Sequence, residues 1–142
     1  MAELVKVVVD AMGGDLAPVE PVKAAVEAVK ERKDILVILT GQEEVIHSEL
    51  KKYQDYPTDR IQVVNATEAP VFAIRKKKDS SIVVGLKMVK EQKADAFVSS
   101  GSTGAVLVGG QVLVGRSKGV ERPPLAPLIP TAKGVSLLID CG

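Results

Sequence analysis

The sequence predicts an α/β protein, a doubly wound, mainly parallel sheet with helices on its faces, and three observations carry that expectation. Short Val-rich apolar segments alternate with amphipathic ones, the rhythm of strand–helix–strand units. Hydrophobic residues make up 46% of the 142, and they include 23 Val against two Phe, two Tyr and no Trp. A core that rich in β-branched residues suits buried parallel strands covered by helices. The third observation is position: the unusual polar and glycine clusters follow strands, and ligands of such sheets bind outside the carboxyl ends.

The elements follow in order. Leu4 to Val9 is a strand ended by Asp10 and a glycine pair. From Pro18 the period changes, with Val19, Val22, Val26 and Val29 on one helical face and Lys23, Glu27, Lys30 and Glu31 turned elsewhere. Ile35 to Leu39 is a second buried strand closed by Thr40-Gly41, and Glu43 to about Tyr53 is a polar helix facing inward with Val45, Ile46 and Leu50. After a turn holding Pro57, Ile61 to Val64 is the third strand. Ala66 to Asp79 is irregular and contains Pro70 and the basic run from Arg75 to Lys78. Ser80 or Ser81 is the expected N-cap of a helix carrying Ile82, Leu86 and Val89. Ala94 to Val98 is the fourth strand. Ala105 to Val114 is apolar all round; periodicity leaves a helix or a hairpin turning at Gly109-Gly110, and the upstream rhythm favours the helix. Gly119 to Pro130 is expected to be a loop, and Val135 to Ile139 a fifth strand of the parallel sheet.

Charge excludes some functions. Nineteen Lys and Arg against 18 Asp and Glu leave a net charge of +1, so no general attraction to nucleic acid is expected. Aromatic platforms for single strands are lacking as well. One cysteine, Cys141, cannot form an internal disulfide and points to a reducing compartment, and no run approaches the length of a membrane span. Cys141, at a Val-rich strand end, is read as a small buried apolar residue rather than a nucleophile.

Four clusters could carry chemistry. Ser99-Ser100-Gly101-Ser102-Thr103-Gly104 sets backbone N–H groups and hydroxyls at the start of a helix, an arrangement that favours anions. It lacks the lysine of a P-loop and does not match GxGxxG. In Asp10-Ala-Met-Gly-Gly-Asp15 the pair Gly13-Gly14 permits close backbone approach, while Asp10 and Asp15 could cap the following helix, hold a basic partner or bind a divalent metal. No histidine lies near, and His47 is expected to be solvated. The basic run ending at Lys78 and continuing into Asp79-Ser80-Ser81 is a solvated loop or a means of drawing a phosphorylated partner. Arg116 and Arg122, on a Pro-rich loop, suit bidentate contact with phosphate or carboxylate, or a salt bridge with Glu121.

These clusters, in this order, resemble the phosphate acyltransferase family of bacterial phospholipid synthesis. The matching segments are DAMGGDLAP at 10–18, RKKKDSSIVVG at 75–85, DAFVSSGSTGA at 95–105, GRSKGVERPPLAP at 115–127 and LIDCG at 138–142. The resemblance implies a three-layer α/β/α, Rossmann-like fold similar to isocitrate and isopropylmalate dehydrogenases, working as a homodimer in the cytoplasm with possible peripheral contact with the inner face of the membrane. Because members are usually more than twice this length, residues 1–142 are expected to be the N-terminal part of one catalytic domain. The implied reaction joins inorganic phosphate to the acyl group of an acyl-carrier-protein thioester, and the acyl phosphate then supplies a glycerol-phosphate acyltransferase. No cofactor or metal is implied.

Carried onto this chain, the catalytic candidates are Lys78, Asp79, Arg116 and Arg122. Those for substrate or phosphate are Asp10, Gly13, Gly14, Asp15, Ser80, Ser99, Gly101, Ser102, Thr103 and Gly104. Leu16 stands where many members carry His, and Ser100 and Ser102 where Ala and Asn are common. The alternatives are a metal- and nicotinamide-dependent decarboxylating dehydrogenase on a similar fold, and a non-catalytic anion- or nucleotide-binding module of flavodoxin-like shape. The first would need an additional acidic metal cluster.

Overall fold

The structure is a computed structural model and describes residues 3–67 and 79–139. Three strand–helix–strand units build it. Strand β1 (Val5–Asp10) leads through helix α1 (Val19–Glu31) to β2 (Ile35–Gly41). Helix α2 (Glu43–Leu50) then leads to β3 (Ile61–Asn65), and α3 (Ser81–Lys90) to β4 (Ala96–Val98). The four strands form one parallel sheet in the order β3-β2-β1-β4.

Alternation along the strands explains the layers. Val37 and Leu39 of β2, with Val9 and Val63, face Val22, Val26 and Val29 of α1 and Ile46 and Leu50 of α2. Their neighbours Val8, Leu36, Ile38 and Phe97 point to the other face, against Met88 and Val89 of α3. With both faces covered, the strands read as continuous apolar runs. Val19 and Val45, expected to face inward, stay 43% and 37% exposed.

Two of the helix ends are satisfied from a distance. The first-turn N–H of Glu43 donates to Asn65 Oδ1 at 3.1 Å, and the Arg60 guanidinium donates to the carbonyls of Val29 and Arg32 at the end of α1. Both contacts supply partners that a helix cannot give its own ends.

Helix α4 (Thr103–Gly109) follows β4 and runs on as a π-helical turn, Gly110–Val114, so the apolar 105–114 segment is helical and not a hairpin. Ala105 packs on Ile82 and Leu86, which places α4 beside α3. The expected fifth parallel strand is corrected. Its residues form β6 (Gly134–Leu137), paired antiparallel with β5 (Leu128–Thr131) in a separate two-stranded sheet. Two apolar segments lie either side of a tight turn, and Gly134 has φ +134°. Local pairing therefore closes a far shorter loop than joining the main sheet would require. β5 also takes the last residues of the stretch expected to be a loop.

Candidate active site

The strand order fixes where the site lies. The chain runs outward from β1 through β2 to β3, then returns to add β4 on the other side of β1, making β1/β4 the switch point of the sheet. Val9 is in register with Val98, so the loops beginning at Asp10 and Ser99 leave the sheet side by side.

Those loops are joined by hydrogen bonds. Asp10 is 1% exposed. Its Oδ1 accepts from the Met12 N–H at 3.0 Å, and its Oδ2 accepts from the Ser99 hydroxyl at 2.7 Å. Ser99 Oγ in turn accepts from the Gly101 N–H at 3.0 Å. The proton of Ser99 is thus committed to Asp10, and its oxygen to the backbone of its own loop. Ser99 therefore ties the loop after β4 to the loop after β1.

Glycine is required at this seam. A Cβ on Gly13 would lie 2.5 Å from Asp10 Oδ2, 2.8 Å from Ser99 Oγ and 2.9 Å from Gly101 N. Gly14 has φ +95°, a conformation that other residues rarely adopt. The Ser102 side chain caps α4, accepting from the Ala105 N–H at 3.4 Å. The N–H groups of Thr103 and Gly104 belong to the first turn, where the helix supplies no acceptor.

Helix α3 begins at the same end of the sheet. Thr40 is the register partner of Asp10, and its hydroxyl lies 3.1 Å from the Ser81 carbonyl and 3.4 Å from that of Val9. Ser80 is the N-cap, accepting from the Val83 N–H at 3.4 Å. Ser81 is fully buried and its hydroxyl has no partner among the described residues. The sequence offered Ser81 only as an alternative cap. Thr40, a polar residue closing a buried strand, was a visible signal for the anchoring of α3 that went unused.

Asp79 has its own partner. Its carboxylate accepts from the Thr67 N–H at 3.1 Å and from the Thr67 hydroxyl. Those bonds, the hydroxyl's foremost, hold its pKa below the ordinary aspartate value.

A cavity of about 650 Å³ opens at the seam, and Asp10, Gly13, Gly14, Asp15, Ser99 and Ser100 line its polar end. Of the sequence candidates, Asp10, Gly13, Gly14, Asp15 and Ser99 thus share this cavity, whereas Asp79, Ser80, Gly101, Ser102, Thr103 and Gly104 do not line it. Arg116 and Arg122 do not line this cavity; the Arg116 guanidinium donates to the carbonyl of Glu121. Asp15 does not cap α1, whose first residue is preceded by Pro18 without any side-chain cap. Lys78 and the segment 140–142 that follows the expected fifth strand, Cys141 included, lie outside the described residues. His47 is half exposed, 3.5 Å from Glu43. Among the described residues no three His, Cys, Asp or Glu side chains gather as a metal site, and no helix is long and apolar enough to cross a membrane.

Comparison with known proteins adds to this geometry. The chain is 57% identical over 143 residues to the phosphate acyltransferase of Alkaliphilus oremlandii, covering 96% of this chain and 42% of that protein. It is 50% identical over 142 residues to the phosphate acyltransferase of Clostridium kluyveri, with the same coverage. The chain thus spans 42% of the length of these relatives. Among solved structures, the EutD phosphotransacetylase from Staphylococcus aureus superposes with a TM-score of 0.61 at 20% identity, over 96% of this chain and 45% of that one. That likeness is one of fold. A family model described as "Fatty acid synthesis protein" matches residues 5–142, and with relatives this similar the chain belongs to the fatty acid synthesis protein family.

Proposed function

We propose that the protein transfers an acyl group from an acyl-carrier-protein thioester to inorganic phosphate, giving acyl phosphate and free carrier protein. The hydrogen-bonded seam between Asp10, Ser99 and Gly101 at the switch point carries this reading, in a family whose relatives are named phosphate acyltransferase. Residues 1–142 would form the N-terminal part of one α/β/α catalytic domain.

Each cluster then has a task. Phosphate is an anion at neutral pH and needs positioning more than deprotonation. The N–H groups opening α4, at Thr103 and Gly104, and that of Gly14 would hold phosphate or the thioester oxyanion. Losing one such donor typically costs ~10²–10³ in rate. A phosphate oxygen attacks the thioester carbonyl, the C–S bond breaks, and the proton of hydrogen phosphate passes to the departing thiolate. No covalent enzyme intermediate is needed. Bringing two anionic reactants together calls for cations, and Lys78, Arg116 and Arg122 are the candidates. Asp79, pinned to Thr67, would fix the start of α3, where Ser80 and Ser81 lie. The whole protein would act as a cytoplasmic homodimer close to the membrane, its product consumed by a glycerol-phosphate acyltransferase.

The test is an incubation of full-length protein with acylated carrier protein, with and without phosphate, in which hydroxylamine traps acyl phosphate and the phosphate-free run subtracts its direct attack on the thioester. Acyl hydroxamate equal to the thiol released is expected. Thiol release without hydroxamate would mean hydrolysis and would remove the proposed reaction.

A further inference from the structure

The cavity at the seam extends well beyond what phosphate requires. From its polar end it runs between α1 and the sheet, along Val7, Val9 and Val37 on one wall and Pro21, Ala24 and Ala28 on the other. From Pro21 to Ala28 the helix advances about 10 Å at ~1.5 Å per residue. The two flanks of α1 differ in size. Val22, Val26 and Val29 fill the core, whereas the flank facing the cavity carries alanines that leave it open. Since α3 and α4 pack on the opposite face, no helix among the described residues covers this side of β4, and Val98 is 51% exposed.

We infer that this groove is the subsite for the acyl chain, with the thioester carbonyl at the Asp10–Ser99 end and the methylene tail laid along α1. The inference rests on the acyl-transfer reading above. Continuity identifies the occupant: the apolar groove opens directly into the polar end where the transferred carbonyl must sit. A volume of about 650 Å³ whose polar lining, Asp10, Asp15, Glu20, Ser99 and Ser100, lies at the end of β1, on the loops after β1 and β4 and in the first turn of α1 matches an amphiphilic ligand with a small head and a long apolar tail. Each methylene buried there contributes about fourfold in binding.

Narrowing the groove tests this. In the full-length protein, Ala24→Phe and Ala28→Leu add bulk to the cavity wall, while Lys23→Phe adds an aromatic elsewhere on the same helix and serves as control. Kinetics are compared with butyryl- and palmitoyl-carrier protein. The expected result is a fall in kcat/KM for palmitoyl on the order of 10-fold or more, with butyryl turnover and the KM for phosphate unchanged and the control like wild type. Equal effects on both donors, or none, would overturn the inference and leave the groove to be covered by polypeptide. Should a wall variant fold poorly, binding of the fluorescent fatty acid cis-parinarate to the wild-type protein, displaced by palmitate, decides instead. An absence of saturable binding overturns the subsite. If no donor yields acyl phosphate yet parinarate binds and the wall variants expel it, the reaction fails while the apolar subsite stands.

Discussion

Gly13→Ala is the smallest change that probes the seam between the loops. Gly13 is not among the residues with positive φ, so its backbone tolerates alanine; only space forbids it. The added methyl would meet Asp10 Oδ2 at 2.5 Å, Ser99 Oγ at 2.8 Å and Gly101 N at 2.9 Å, whereas unstrained contacts of carbon lie at about 3.5 Å or more. Two of these neighbours are short side chains already bonded to each other, and the third is backbone, so none can swing away. Overpacking of this kind costs about 1–3 kcal/mol. Relief by parting Ser99 from Asp10 would instead forfeit a hydrogen bond to a charged group, about 1.5–3 kcal/mol. The lower entropy of the unfolded alanine chain returns about 0.4–1 kcal/mol. A net loss of about 1–2 kcal/mol is expected. Gly110→Ala is the internal control: it is helical, nothing lies within 4 Å of its added Cβ, and it should stabilise by about 0.5–1 kcal/mol. Urea unfolding at constant m-value measures both. A Gly13→Ala protein within about 0.5 kcal/mol of wild type would refute the packing described for the seam.

The remaining predictions concern the surrounding anchors. Ser81→Ala removes a buried hydroxyl without a partner among the described residues, so stability should hold or rise, whereas a loss of more than ~1 kcal/mol would reveal a hidden hydrogen bond. Arg60→Met strips two donors from the carbonyls ending α1 and should cost about 1–2 kcal/mol; an unchanged unfolding midpoint would show the capping to be idle. Thr67→Val deletes the largest cause of the low Asp79 pKa, so an NMR titration of that carboxyl should show it move up toward the ordinary value. Because the folded pKa is depressed, this contact stabilises the protein above the ordinary carboxylate range and is lost as pH falls through the folded value. A carboxyl that titrates identically in both proteins would mean Thr67 does not hold it.

Much of this was legible in the residues because burial and period are local signals. The valines of β1 and β2, the Val22-Val26-Val29 stripe and the glycine pair after Asp10 declared themselves, and the strand-end rule anticipated that the loops starting at Asp10 and Ser99 meet. What stayed hidden depended on partners far along the chain. Nothing near Ser99 says that its proton belongs to Asp10, 89 residues away, and nothing near Arg60 says that it ends α1. The 135–139 segment misled for the opposite reason. Its apolar pattern is that of a strand, but a pattern does not name the strand's partner, and a neighbour across a tight turn was closer than the main sheet.

If the Asp10–Ser99 seam organises acyl transfer to phosphate, the rate of acyl phosphate formation by full-length Asp10→Asn reports it. Both carboxylate oxygens of Asp10 are acceptors, for Met12 N–H and the Ser99 hydroxyl. An amide keeps the shape yet can satisfy only one of them, so the loop is displaced while the fold survives. Misplacement by about 1 Å can cost on the order of 10² in rate. The expected result is a folded Asp10→Asn protein whose acyl phosphate formation falls by about that factor. A folded variant that forms acyl phosphate at the wild-type rate would contradict it.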